Sequence, residues 1–167
     1  MVIDIVKNLA RKAFALVVLL MFSAAAQAQL QIEIVDGNAS ALPIAIVPFQ
    51  WQSSGYPPVD PVEQIVANDL YRSGLFDPMA VEDMPDKPTD AEGIRFGTWR
   101  LLKVDYIVIG QVRTPADGMG HEIHYELFDV HKQERLLSRI TTVGPGDLRF
   151  GAHKVADSVY EALTGVP

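Results

Sequence analysis

The chain has 167 residues, enough for one domain of ordinary size, and its 49% hydrophobic and 21% charged side chains describe a core-forming globular protein. A net charge of −7, with no cluster of Lys and Arg beyond the first residues, excludes a nucleic-acid partner gripped through its phosphates. The absence of cysteine excludes disulfides, thiolate zinc sites, a cysteine nucleophile and the acylated cysteine of a lipoprotein.

Residues 1–28 read as a secretory signal peptide. Lys7, Arg11 and Lys12 form a basic start, diluted by Asp4. Ala13 to Phe22 is an unbroken apolar run, and Ala26 and Ala28 supply the small side chains that a signal peptidase accepts before cleavage. The run is about half as long as a helix needs to cross a hydrocarbon core of ~30 Å. Cleavage after Ala28 leaves 139 residues in which 11 basic side chains face 20 acidic ones, a charge of −9. The expected destination is the bacterial periplasm.

Residues 29–42 read as a strand on a tether. Leu30, Ile32 and Ile34 alternate with Gln31 and Glu33, the period of a strand with one buried face. Asp36-Gly-Asn-Ala-Ser-Ala follows, small and polar, with Gly37 and Asn38 suited to a turn. The compact domain is expected over residues 43–167. Ile44-Ala-Ile-Val-Pro-Phe has the continuous apolar character of a strand buried on both faces, and Pro48 should end it. Gln50 to Val59, rich in Ser, Gly and Pro, reads as loop.

A helix then starts with Asp60 as N-cap, Pro61 at the first helical position and Glu63 closing a capping box. Val62, Ile65, Val66 and Leu70 form its apolar stripe and Gly74 its left-handed stop. Leu75 to Val81 reads as a short strand interrupted at Pro78, and acidic Glu82 to Glu92 as solvated connection. One or two helical turns are expected around Trp99. Val104 to Val112 is the most strand-like segment and the candidate sheet centre. His121–Val130 and Arg135–Val143 predict a hairpin reversing near His131. The last helix runs from about Asp147 to Leu163, with Leu148, Ala152, Val155, Ala156, Val159 and Leu163 on one face and Gly165 as its stop.

The order predicts an α/β (α+β) fold: a mixed sheet of about five strands with two main helices on one face, its early strand-helix-strand unit crossing over right-handed into a parallel pair.

No pattern carries catalytic chemistry. His121-Glu122-Ile123-His124 lacks the four-residue helical spacing of a zinc pair, and on a strand residues three apart point to opposite faces. Ser53 and Ser54 lack a nucleophile-elbow glycine pattern. Gly118, Gly120, Gly144 and Gly146 read as turn residues, not a phosphate loop. Glu82, Asp83, Asp86, Asp90 and Glu92 lack the oxygen spacing and central glycine of a calcium loop. No cofactor and no metal are expected. Phe49, Trp51 and Tyr56 serve either as an interface or as a cap on one end of the core.

Five segments in order resemble the N-terminal domain of the TolB family. They are Pro43–Trp51, Ile65–Phe76, Val104–Val112, Tyr125–Val130 and Ala152–Gly165. The resemblance implies a periplasmic, non-enzymatic adaptor of the Tol-Pal system, supporting outer-membrane integrity and cell division. It implies an α/β domain of the kind read above, and a partner-binding segment for TolA at Gln29, Leu30, Gln31, Ile32, Glu33, Ile34, Val35 and Asp36. The family continues into a β-propeller that engages Pal; the chain stops at Pro167, as a truncated coding sequence, an isolated domain or a natural short form would. Pal binding is therefore expected only where the propeller is present, and the last helix is expected to leave an apolar patch exposed near its end. The alternatives are a small periplasmic ligand-binding domain, with a pocket around Trp51 and Trp99, and, ranked well below it, a hydrolase using His121, His124 or His153 with a carboxylate.

Overall fold

The computed structural model describes residues 41–53 and 55–166. The expected leader, and the strand and tether before Ala41, lie outside the described residues.

The sheet is mixed. Its strands are β1 (Leu42–Ile46), β2 (Gln50–Gln52), β3 (Phe76–Pro78), β4 (Tyr106–Arg113), β5 (His121–Asp129) and β6 (Glu134–Val143). They lie in the order β3-β1-β4-β5-β6, with β2 also on β4. β3, β1 and β4 pair in parallel, and β4, β5 and β6 form an antiparallel meander. β4 is the centre, as its apolar run predicts: Ile107, Val108, Ile109 and Val112 are buried, and they alternate between the two faces.

The expected loop after Pro48 is partly a strand. β4 has eight residues, and β1 pairs with only its first part, Tyr106 to Val108. The open ladder positions at Gln111–Arg113 are taken by Gln50–Gln52 once the chain has passed Pro48. Local composition does not register such a pairing, because the demand comes from the neighbouring strand.

Helices α1 (Val62–Arg72) and α3 (Leu148–Thr164) cover one face. Val62, Ile65, Val66 and Leu70 of α1 meet Ala152, Val155, Ala156 and Val159 of α3 over Ile44, Ile46, Val108, Ile123, Tyr125 and Leu127. Gly151 brings α3 down onto the sheet: a Cβ there would stand 2.7 Å from Ile123 Cδ1. Gly74 (φ +74°) and Gly165 (φ +72°) end the two helices in the left-handed conformation, as expected.

The start of α1 differs from expectation. Pro61 occupies the cap position in an extended conformation (ψ 151°), and no side chain caps the helix. Asp60 instead pairs with Arg149 at 3.1 Å, and the Glu63 carboxylate receives the Phe49 N–H rather than closing a box. A contact from the neighbouring element displaced the local one. Burial pushes the Glu63 carboxyl up, against the lowering effect of its own N–H and that of Phe49.

The acidic stretch Glu82–Glu92, expected as solvated connection, is largely exposed, but the longer segment from Val81 to Leu102 that contains it is not merely solvated. It crosses the opposite face, where Met84, Ile94, Trp99 and Val104 pack on Ala45, Val47, Ile107, Ile109, Phe128 and Val130. Trp99 comes from the short helix α2 (Phe96–Leu101) and is fully buried. The acidic residues staple this segment: Asp86 takes Arg95 Nε at 2.7 Å, and Asp90 takes the Gly93 N–H at 2.9 Å. Both faces of the sheet are therefore covered, which is why its central strands are apolar on both sides.

The hairpin turns where expected. Asp129 accepts the N–H groups of His131 (2.9 Å) and Lys132 (2.8 Å), and Gln133 adopts a positive φ of 57°. Near the C-terminus, where an apolar patch is expected, Val166 is exposed. Phe150, beneath the Lys154 ammonium at 4.9 Å, is exposed as well, in the first turn of α3.

Candidate partner-docking surfaces

The eight residues expected to engage a partner, Gln29 to Asp36, lie outside the described residues. They are covalently attached ahead of β1, which is itself firmly built in: the Leu42 N–H reaches Leu75 O at 2.8 Å, and Pro43 O accepts the Asp105 N–H at 2.9 Å.

The described body offers three further surfaces. The first is β6, ten residues that among the described residues pair with β5 alone. Leu136 and Ile140 are exposed on it, but Arg135 (3.0 Å from Glu126) and Arg139 (3.4 Å from Ser158 Oγ) place charges along the edge that discourage indiscriminate pairing. The second is an apolar groove of about 500 Å³ between α1 and the end of β3, lined by Pro48, Ala67, Tyr71, Met79 and Val81 among others. Tyr71 is two-thirds exposed and lies off the buried stripe of α1, which is the signal in the sequence that could have located this groove. The third is a groove of about 470 Å³ beside Trp51 and His121.

Trp51 and Trp99 do not share a pocket. Trp51 packs against the core on the α1/α3 face, whereas Trp99 fills the core on the other side. Phe49 serves as a core cap: its ring lies over Gly110, whose absent Cβ would stand 2.4 Å from it. Tyr56 is almost wholly exposed.

The histidines are each placed by one partner. His121 Nδ1 meets Ser53 Oγ at 3.0 Å, and Ser53 Oγ meets Thr114 Oγ1 at 2.8 Å. A serine hydrolase needs the second imidazole nitrogen held by a carboxylate, and among the described residues no carboxylate bonds His121. His124 pairs with Glu122 and His131 with Asp105, both at 2.8 Å, while His153 pairs with Asp69. None of these three pairs has a nucleophile attached. Strand parity separates His121 from His124 as expected, and among the described residues no three His, Asp or Glu side chains converge as a metal cage.

Asp69 ties the two main helices together. Burial alone would raise its carboxyl, but hydrogen bonds from His153 of α3 and Arg72 of α1, with their charges, outweigh burial and hold it below the ordinary carboxylate range. A carboxylate lowered in the folded state contributes stability above its unfolded pKa of about 3.9 and loses it as pH falls through the folded value. Asp69→Asn should therefore cost on the order of 1 kcal/mol at neutral pH, discounted for partial exposure. In urea unfolding at a series of pH values, the gap to the native chain should narrow as pH falls below the unfolded value of about 3.9 and on through the lowered folded value. A gap that persists unchanged in acid would show that the charge is not what matters.

The amino-terminal domain model of TolB matches residues 30–136. The chain belongs to the TolB family. TolB sequences curated as "Tol-Pal system protein TolB" are close to it: that of Xanthomonas oryzae pv. oryzae is 44% identical over 151 residues, covering 90% of this chain and 34% of the relative. That of Xanthomonas campestris pv. campestris is 45% identical over 149 residues, covering 89% and 34%. The crystal structure of TolB from Acinetobacter baumannii superposes with a TM-score of 0.63 at 36% identity, covering 76% of this chain and 29% of that one. The chain spans about a third of the length of these TolB relatives. The TolB match begins at Leu30 and so takes in most of the alternating leading segment as well as the compact body. Among the described residues no helix is long and apolar enough to cross a membrane.

Proposed function

We propose that the chain is a periplasmic adaptor of the Tol-Pal system that holds TolA through Gln29–Asp36 and, by that link, supports outer-membrane integrity and cell division. It catalyses no reaction; its work is to connect partners. The observation that carries the reading is the reach of the family match back to Leu30, over a segment whose apolar residues alternate ahead of a strand hydrogen-bonded on both flanks. Strand addition suits such a segment: main-chain hydrogen bonds supply affinity, and Leu30, Ile32 and Ile34 supply specificity from one face. A segment able to pair with more than one surface also responds to whichever partner favours one arrangement, which makes it a switch. Pal enters this account only with the remaining two-thirds of the family's length.

The test is calorimetric titration of the C-terminal domain of TolA into the exported chain and into a version lacking residues 29–36. The expected result is binding by the first and none by the second. Equal binding would remove the leading segment from the account. Mass spectrometry of the exported chain should place its first residue at Gln29; a first residue beyond Asp36 would be equally damaging.

A further inference from the structure

From the groove beside Trp51 we infer a saccharide-binding site, taking a neutral pyranose ring of a glycan. The inference stands independently of the TolA reading. The groove opens where β2, the loop after it, the start of β5 and the first turn of α3 meet, and Trp51, Tyr56, Val59, Asp60, His121 and Arg149 face it. Its volume of about 470 Å³ is in the range of small-ligand sites.

Four features select the ligand. The Trp51 indole is held: its Nε1–H donates to Gly55 O at 3.0 Å, so the ring offers a face and no free donor. An extended proline-rich peptide is the other ligand that aromatic grooves take, and decaproline is therefore the competing probe. A pyranose asks only for an apolar face against its axial C–H groups, and Trp51 and Tyr56 supply aromatic surface for it. Tyr56 and Val59 are 96% and 99% exposed, a large apolar surface left in water at the rim.

The polar groups complete the match. Asp60 and Arg149 form an ion pair at 3.1 Å with both side chains largely exposed, presenting an acceptor and a forked donor together. Vicinal hydroxyls, each both donor and acceptor, fit that pairing. Their charges cancel, which favours a neutral sugar over an anionic one. His121 stands 5.5 Å from the Trp51 ring, centroid to centroid, and is oriented through Nδ1 by Ser53, itself positioned by Thr114. Its Nε2 makes no hydrogen bond among the described residues and is available to a hydroxyl.

The two tryptophans make the test direct, because the chain has only these two indoles. Chitotriose is titrated into the ¹⁵N-labelled exported chain, the indole signals being assigned from Trp51→Phe. The Trp51 signal should move saturably at millimolar sugar while that of buried Trp99 stays in place. Tyr56→Ala, an exposed position where folding is not at issue, should weaken binding about tenfold. Leu101→Ala, also at an exposed position but on the opposite face of the sheet, should bind as the native chain does. The inference is overturned by an unmoved Trp51 signal at about 50 mM sugar, far beyond a millimolar Kd. Shifts that Tyr56→Ala leaves unchanged overturn it too, as does saturable binding of decaproline with none of chitotriose.

Discussion

Replacing Trp99 by alanine is expected to destabilise the domain by about 3–5 kcal/mol, the largest effect of any single truncation on the loop-covered face. Trp99 is fully buried and is the largest such side chain among the described residues. It is also the centre of a core in which one wall, residues 79–104, has only a single 3₁₀ turn and the six-residue helix α2 as regular structure. Such a wall closes poorly around a void on the sheet side, because Ile107, Ile109 and Phe128 are fixed by the ladder. The indole Nε1–H has no hydrogen-bond partner among the described residues. Trp99→Phe therefore gives up volume without giving up a bond, and should cost less than half of what Trp99→Ala costs. Chemical denaturation of the three proteins checks both statements. A Trp99→Ala loss below about 1 kcal/mol would mean that the connection packs loosely and that the second core is marginal.

Gly110→Ala is expected to cost about 1–3 kcal/mol by overpacking, although Ala is the smallest side chain that can be added. The new methyl would meet three atoms of the Phe49 ring at 2.4–2.6 Å. The ring has little room to retreat: it packs against the main core, and the Phe49 N–H is tied to the Glu63 carboxylate. Phe49→Ala alone should also destabilise, by loss of buried area. Together the two changes should cost less than their sum, since the alanine at position 110 refills part of the space that the ring leaves. A double-mutant cycle by thermal or urea unfolding gives the coupling directly. Strict additivity would show that the ring moves freely and that the glycine is not there to admit it.

These two positions differ in how far they can be read from the chain. The binary pattern exposed the two main helices, though not the start of the first: Val62, Ile65, Val66 and Leu70, and the stripe from Leu148 to Leu163, recur at helical spacing, and Gly74 and Gly165 close them. The strands β4, β5 and β6 were equally plain, as was the turn at His131. Trp99 could be placed on a short helix but not on a face, because a six-residue helix has too few turns to show a stripe. Gly110 carried no signal, since its meaning depends on a ring 61 residues away in sequence.

The candidate site was legible in the same uneven way. The alternation of Leu30, Ile32 and Ile34 is a local pattern and needs no fold to be seen. The saccharide groove draws on separate segments: Trp51, Tyr56 and His121 stood out singly in the sequence, but nothing there joined them to one another or to Arg149.

What the sequence by itself determined is the part of this protein governed by near neighbours along the chain. That covers the apolar stripes of the two main helices, the strands β4 to β6, the lack of any thiol, and the family through five segments in order. What only the tertiary structure decided is everything set by partners distant in sequence. It closed the far end of β4 with β2, turned Asp60 from a helix cap into a partner for Arg149, and folded an acidic connection over the second face of the sheet. The physical reason is common to all three. Backbone ladders and buried surface must be satisfied wherever they are left open, and the group that satisfies them is chosen by proximity in space.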